Sequence, residues 1–417
     1  MAKRKFKFVE MFIDPETGAP FEGLDSPKVI KTENFGTFTG HQIARIVYEK
    51  RQMKEKKVTI QNGKTVESGT QTVTVMFEKM GEKGGWLEST NNLSQDGECW
   101  VSNGGIVCGN GFVCDDVKLS SGEVGENAKV GGEAKISGKV GIGGSAYVFG
   151  KAKIDGGSRV AVSGTARVEG TVSGEAVVKG SAYVGKEGVV RGKAEVSGNS
   201  RVMGTVEGEA VVTDSATVYG TVKDKAWVGY EAIILQSGSA EGNVVVSGGI
   251  IAGKFKDNAE IANGQPFVGE GGSVEGQSSL SSNAYVEGTV SGTAEIKGNV
   301  SVMKDGAVSG SAVLDGGAHV EGTVEGGEIG GGSVILGAVS GSVNMADGVR
   351  VGEQGAVSGG ELSGSSNVGG TTGSSMSGNA VVAPEASASM GLEGNEVFKD
   401  GDNREPEGIG VICEVSE

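Results

Sequence analysis

Residues 181–234 read SAYVGKEGVVRGKAEVSGNSRVMGTVEGEAVVTDSATVYGTVKDKAWVGYEAII. Aliphatic residues recur along it at Val184, Val190, Val196, Val202, Val206, Val212, Val218, Val222, Val228 and Ile234. A small residue stands two places before each member of the six-spaced set, as at Ala182, Ala194 and Ser200. A helix would repeat near 3.6 residues and a flat strand near two. A step of six is that of a short strand, a corner and another short strand, wound into a coil whose turns stack in parallel. Steps of four, from Val202 to Val206 and from Val218 to Val222, recur with the formula GTV and read as shorter sides of a three-sided coil.

The same beat runs outward in both directions. It begins with Val101, Val107, Val113 and Leu119, breaks near Pro266, resumes at Leu280 and weakens past Ile335, with Val382 and Leu392 about its last members. Some 290 residues at about 16–18 per turn, stacked roughly 4.8 Å apart, predict about 17 turns and a rod on the order of 80 Å long. The 77 glycines and six prolines fit this reading, because glycine turns tight corners and proline would remove a ladder donor.

Residues 1–85 differ in kind. They hold seven of the 12 phenylalanines and carry 15 Lys/Arg against 11 Asp/Glu, leaving 22 basic and 42 acidic residues for the rest of the chain. An acidic repeat region repels nucleic acid and anionic membranes, so neither is expected as a partner. Residues 5–13 (KFKFVEMFI) have strand composition. Thr39 is placed to cap a helix over residues 41–57, and residues 58–60 and 70–77 flank Asn62-Gly63 as a hairpin. The basic run Lys50, Arg51, Lys54, Lys56 and Lys57 is a candidate docking patch. The expected organisation is an α+β attachment domain at 1–85, a β-solenoid at 86–392 with a capping junction at 86–101, and a tail or cap at 393–417. The tail's apolar run 409–415 (IGVICEV) is suited to capping. The first 20 residues are charged throughout and lack a signal-peptide core, so synthesis in the cytoplasm is expected.

The junction, 84–101, reads GGWLESTNNLSQDGECWV. Trp86 and Trp100 are candidate structural caps, since the first turn of a solenoid exposes its core end-on. This stretch resembles YdcK-like left-handed β-helix proteins of phages and prophages, through Gly84, Gly85, Trp86, Leu87, Glu88, Asn92, Leu93, Ser94, Gly97, Trp100 and Val101. The resemblance implies left-handed winding and a phage context, and carries no activity with it. Residues 1–80 and 393–417 lie outside it.

No catalytic or cofactor-binding constellation is legible. Cys99, Cys108, Cys114 and Cys413 lack the companion ligands of a metal site and read as free thiols, although Cys108 and Cys114 stand one six-residue step apart. Hexapeptide acyltransferases are the enzymatic alternative. They need a histidine base, and His319, outward between Ala318 and Val320, is the weak candidate. They also extrude a loop from the coil, for which 254–272 is the best site. The threonines of the GTV steps are too few and too irregularly spaced along the coil for an ice-binding ladder. The expected function is therefore structural: an acidic rod docked through residues 1–85 to a protein partner as a virion fibre, spike or decoration component, with homo-oligomerisation open. A polymerising cytoplasmic scaffold is the second alternative.

Overall fold

Two-residue strands joined by short corners account for most of this all-β protein, a parallel β-solenoid. The computed structural model describes residues 4–13, 17, 19, 20, 26–61 and 64–345, with strand pieces at 350–351, 356–362, 367–368, 371–372, 381–382, 387–388 and 397–398. Side chains are described except at 56–69, 71, 75 and most positions past 337. Cys413 and the run 409–415 lie outside the described residues. The chain divides into two compact units, Met1–Gly180 and Ser181–Glu417.

In Ser181–Glu417 each turn presents three strands, as in Arg201–Val202, Thr205–Val206 and Val211–Val212. Each pairs in parallel one turn on, with Arg201 against Thr217, Thr205 against Thr221 and Val211 against Trp227. The second residue of each strand points inward, and Val202, Val206 and Val212 are fully buried. β-Branched side chains suit this pleated wall, and burying each contributes about 1.5–3 kcal/mol. The small residue two places earlier fills the inside of the corner. Where serine replaces alanine its hydroxyl donates to the carbonyl three residues back, Ser200 to Ser197 at 2.6 Å and Ser278 to Glu275 at 2.7 Å.

Two sequence expectations change here, on the four-residue step and on the loop at 254–272. The four-residue step is not a shorter side: every side keeps its two-residue strand, and it is the corner that loses residues, as at Met203-Gly204. Gly204 is required there because a Cβ would lie 2.1 Å from the Gly220 carbonyl oxygen. The GTV threonines, uneven along the chain, come into register on one face, where Thr205, Thr221 and Ser239 stack. Lys254 and Ala307 interrupt that column. No loop leaves the coil at 254–272. Lys254–Phe255, Glu260–Ile261 and Phe267–Val268 all stay in their ladders.

Asp214, Asp224, Tyr230, Asp257 and Ser282 hold left-handed corner positions otherwise given to glycine. The aspartates use them. Each carboxylate accepts from an amide one turn on: Asp214 from Tyr230 at 3.1 Å, Asp224 from Gly242 at 3.1 Å and Asp257 from Gly276 at 3.2 Å. A short acidic side chain tolerates this conformation because it can bond locally.

Met1–Gly180 opens with β1 (Phe6–Phe8), β2 (Lys28–Lys31), β3 (Thr37–Gln61) and β4 (Lys64–Leu87). The helix expected over residues 41–57 is a strand. β3 pairs antiparallel with β1, β2 and β4. Asn62-Gly63 lies outside the described residues; Gln61 pairs with Lys64 on either side of it, and the hairpin arms are far longer than residues 58–60 and 70–77. Apart from two single-turn 3-10 segments at Val9–Met11 and Thr90–Asn92, no helix occurs among the described residues of this unit. Val9, Phe12 and Ala44 form a small core under the hairpin, joined by Ile46 and Met80. β4 runs on through residues 85 and 86, and its end pairs in parallel with β5 (Trp100–Val107), Trp86 against Ile106 and Leu87 against Val107. The hairpin is thus continuous with the first turn of the coil.

Candidate functional site

The start of the coil gathers the junction residues. Gly84 and Gly85 let β4 pass close over β5, since a Cβ on Gly85 would lie 2.2 Å from the Gly105 oxygen. Trp86 and Trp100 are both buried. A cation sits over each ring: Lys28 Nζ is 4.4 Å from the Trp86 centroid and the Arg45 guanidinium 4.3 Å from that of Trp100. Trp100 Nε1 is buried without an acceptor among the described residues. Ser89 and Asn92 close a capping box, and the buried Asn92 amide donates to the carbonyls of Gly109 at 2.9 Å and Gly111 at 2.8 Å on the next turn. Glu88 accepts from the Gly109 amide at 2.6 Å. The residues of the junction motif are therefore stitches between consecutive turns.

A strap at 32–36 lies along the side of the coil. Glu123, 8% exposed, takes the amides of Glu33 at 2.7 Å and Asn34 at 2.9 Å, and the Asn34 side-chain amide at 2.6 Å. Arg159 donates to Asn34 Oδ1 at 3.2 Å. The Phe35 ring lies against Gly125 and Gly143. Beside the strap is a cleft of about 470 Å³ with Lys31, Lys139 and Arg159 on its rim. No sequence signal marks the strap, because Glu123 is one of 53 acids in the chain.

The basic run does not share one surface. β3 alternates its faces, so Lys50 and Lys54, both exposed, lie on one side and Arg51 on the other. Arg51 is paired with Glu49 at 3.3 Å and stands 5.5 Å from the Phe77 centroid. Lys56 and Lys57 fall in β3 by their backbone, and their side chains lie outside the described residues.

Each histidine meets a carboxylate. His319 stands outward on its face, 3.0 Å from Glu321 Oε1. His41, stacked on Phe8, contacts Glu10 through Nδ1, and Ser26 donates to the other Glu10 oxygen at 2.6 Å. The carboxylate is the middle member, so Ser26 faces an acid rather than an imidazole, the reverse of a hydrolytic triad. Cys99, Cys108 and Cys114 are buried free thiols. Burial, reinforced by nearby carboxylates, pushes Cys108 up to about 12 and Cys114 up to about 11. Burial also raises Cys99, against the opposing influence of Lys5 at 3.1 Å. Such thiols stay protonated and unreactive at neutral pH.

No group of three or more metal-ligating side chains occurs among the described residues, and no helix among them is long and apolar enough to cross a membrane. No protein-family model and no curated protein sequence matches the chain.

Proposed function

We propose that this protein is a non-enzymatic structural component, a stiff acidic β-solenoid of a phage particle or prophage, attached to a protein partner through residues 1–85. The observation that carries this reading is the continuity of β4 with the first turn of the coil. A long hairpin whose end is itself a solenoid strand cannot swivel freely against it. Its outer part presents Lys50 and Lys54, opposite in sign to the rest of the chain. The outward positions of one face run Tyr183, Arg201, Thr217, Ile233, Ile250 and Phe267, a variety that suits a scaffold better than a repeated reaction site.

Negative-stain microscopy of the purified full chain tests the reading. Discrete particles of uniform length are expected, and long end-to-end filaments would favour a polymerising scaffold instead. An acyl-CoA-dependent activity abolished by His319→Ala would overturn the structural assignment in favour of an acyltransferase.

A further inference from the structure

The corners of the coil differ in length, and in Ser181–Glu417 one such difference opens a notch. Three successive corners on the same edge span residues 229–232, 247–249 and 262–266. The middle one is the shortest, so its neighbours overhang it. The space between them measures about 760 Å³, within the range of small-ligand sites. Its wall carries two carboxylates, Asp214 and Glu231, two side-chain amides, Asn263 and Gln265, and the ring of Tyr230, with no cationic side chain.

Tyr230 is the telling residue. It holds a left-handed backbone with φ +51°, at a corner where the two preceding turns carry Gly198 and Asp214. A bulky side chain is disfavoured there, and strain of this kind concentrates at binding sites. The core does not require this residue, which is 60% exposed, its ring lying edge-to-face with that of Trp227 at 5.9 Å between centroids. The short corner also breaks the ladder. Asn199 N bonds Asp214 O and Ser215 N bonds Tyr230 O, but among the described residues no such bond leaves Glu231 N. A backbone donor is thereby left for another acceptor.

We infer that this notch binds a neutral oligosaccharide. An exposed aromatic ring offers its face to the C–H side of a pyranose, while planar carboxylates and amides pair with adjacent hydroxyls two at a time. Two carboxylates without a cation select against sialylated, sulfated or phosphorylated sugars. The assignment stands independently of any particle the protein belongs to.

The test titrates the full chain with neutral hexasaccharides of glucose, galactose, mannose and N-acetylglucosamine, followed by tryptophan fluorescence with Trp227 as reporter. At least one is expected to bind. Tyr230→Gly removes the ring and the backbone strain together, so its melting temperature should hold or rise while affinity falls about tenfold or more. Tyr219→Ala, at an exposed tyrosine outside the notch, should bind as the parent does. Binding by none of these sugars, equal binding by Tyr230→Gly, or a preference for sialylated over neutral glycans would each overturn the inference.

Discussion

Phe255 is stacked in register on Ala240, one turn away, and both are fully buried. Their neighbours in the column are valines, Val222 on one side and Val274 on the other. A large side chain therefore sits next to a small one, and the pair fills the space of two valines. Ala240→Val alone should overpack the coil and destabilise it by about 1–3 kcal/mol. Phe255→Val alone should leave part of that volume empty and cost about 1–3 kcal/mol. The double variant Ala240→Val/Phe255→Val should recover at least about 1 kcal/mol relative to the sum of its single changes. Urea midpoints across this cycle measure the coupling, and additive losses would contradict the compensation.

Asn92 joins two turns through both ends of its amide. Asn92→Ala leaves the Gly109 and Gly111 carbonyls without that donor, a loss of about 2–4 kcal/mol. Asn92→Asp should be worse, because it turns a carboxylate toward two carbonyl oxygens. Thermal melting of the three proteins should rank them parent, alanine, aspartate. An aspartate variant as stable as the parent would show that the stitch carries little energy.

Asp224 separates backbone tolerance from hydrogen bonding. Its left-handed corner, φ +63°, is easy for glycine and strained for alanine. Asp224→Ala should lose about 1–3 kcal/mol, from the strain and from the bond to the Gly242 amide. Asp224→Gly should lose only the bond. Equal losses, read from denaturant unfolding, would mean that conformation plays no part.

The thiols predict an alkaline limit. Cys108 and Cys114 ionise near pH 12 and 11 in the folded chain, whereas a solvent-exposed thiol ionises at about 8.5–9. Between those values the unfolded chain has released protons that the folded chain still holds, so stability falls as pH rises. The contribution is intact below about pH 8.5 and drains away up to about pH 12. Comparing urea midpoints of the parent and Cys108→Ala across pH 7–11 isolates it. The parent's advantage should shrink steadily above pH 9, and an advantage independent of pH would rule the effect out.

The coil was legible because its inward valines cannot change without opening the core, which forces their period into the sequence. The strand character of residues 41–57 was not. Ile43, Ile46 and Val47 are spaced like the face of a helix, yet register shifts between Gln42 and Ala44 and between Ala44 and Ile46 break the strand's period of two. Ile43 and Ala44 are buried as consecutive residues for the same reason. The notch at Tyr230 had left a faint trace. The six-residue beat slips to five between Val246 and Ile251 and stretches to seven between Ile261 and Val268. Read as a flaw in the repeat, that slip conveys nothing; read as unequal corners, it marks a concavity. The strap had no comparable trace, since nothing about Glu123 in sequence distinguishes it from the many other acids of the chain.

The hairpin that ends inside the first turn also bears on how the coil finds its alignment. Its repeats are nearly interchangeable, so an isolated stretch of them could begin pairing at many offsets of similar energy. β3 and β4 form from residues close together in the chain, at low loop-closure cost, and they leave Trp86 and Leu87 as a ready edge. A chain made from its N-terminus has that edge in place before most of the repeats exist. Each turn then adds to the one before, and a single template sets the frame for the turns that follow.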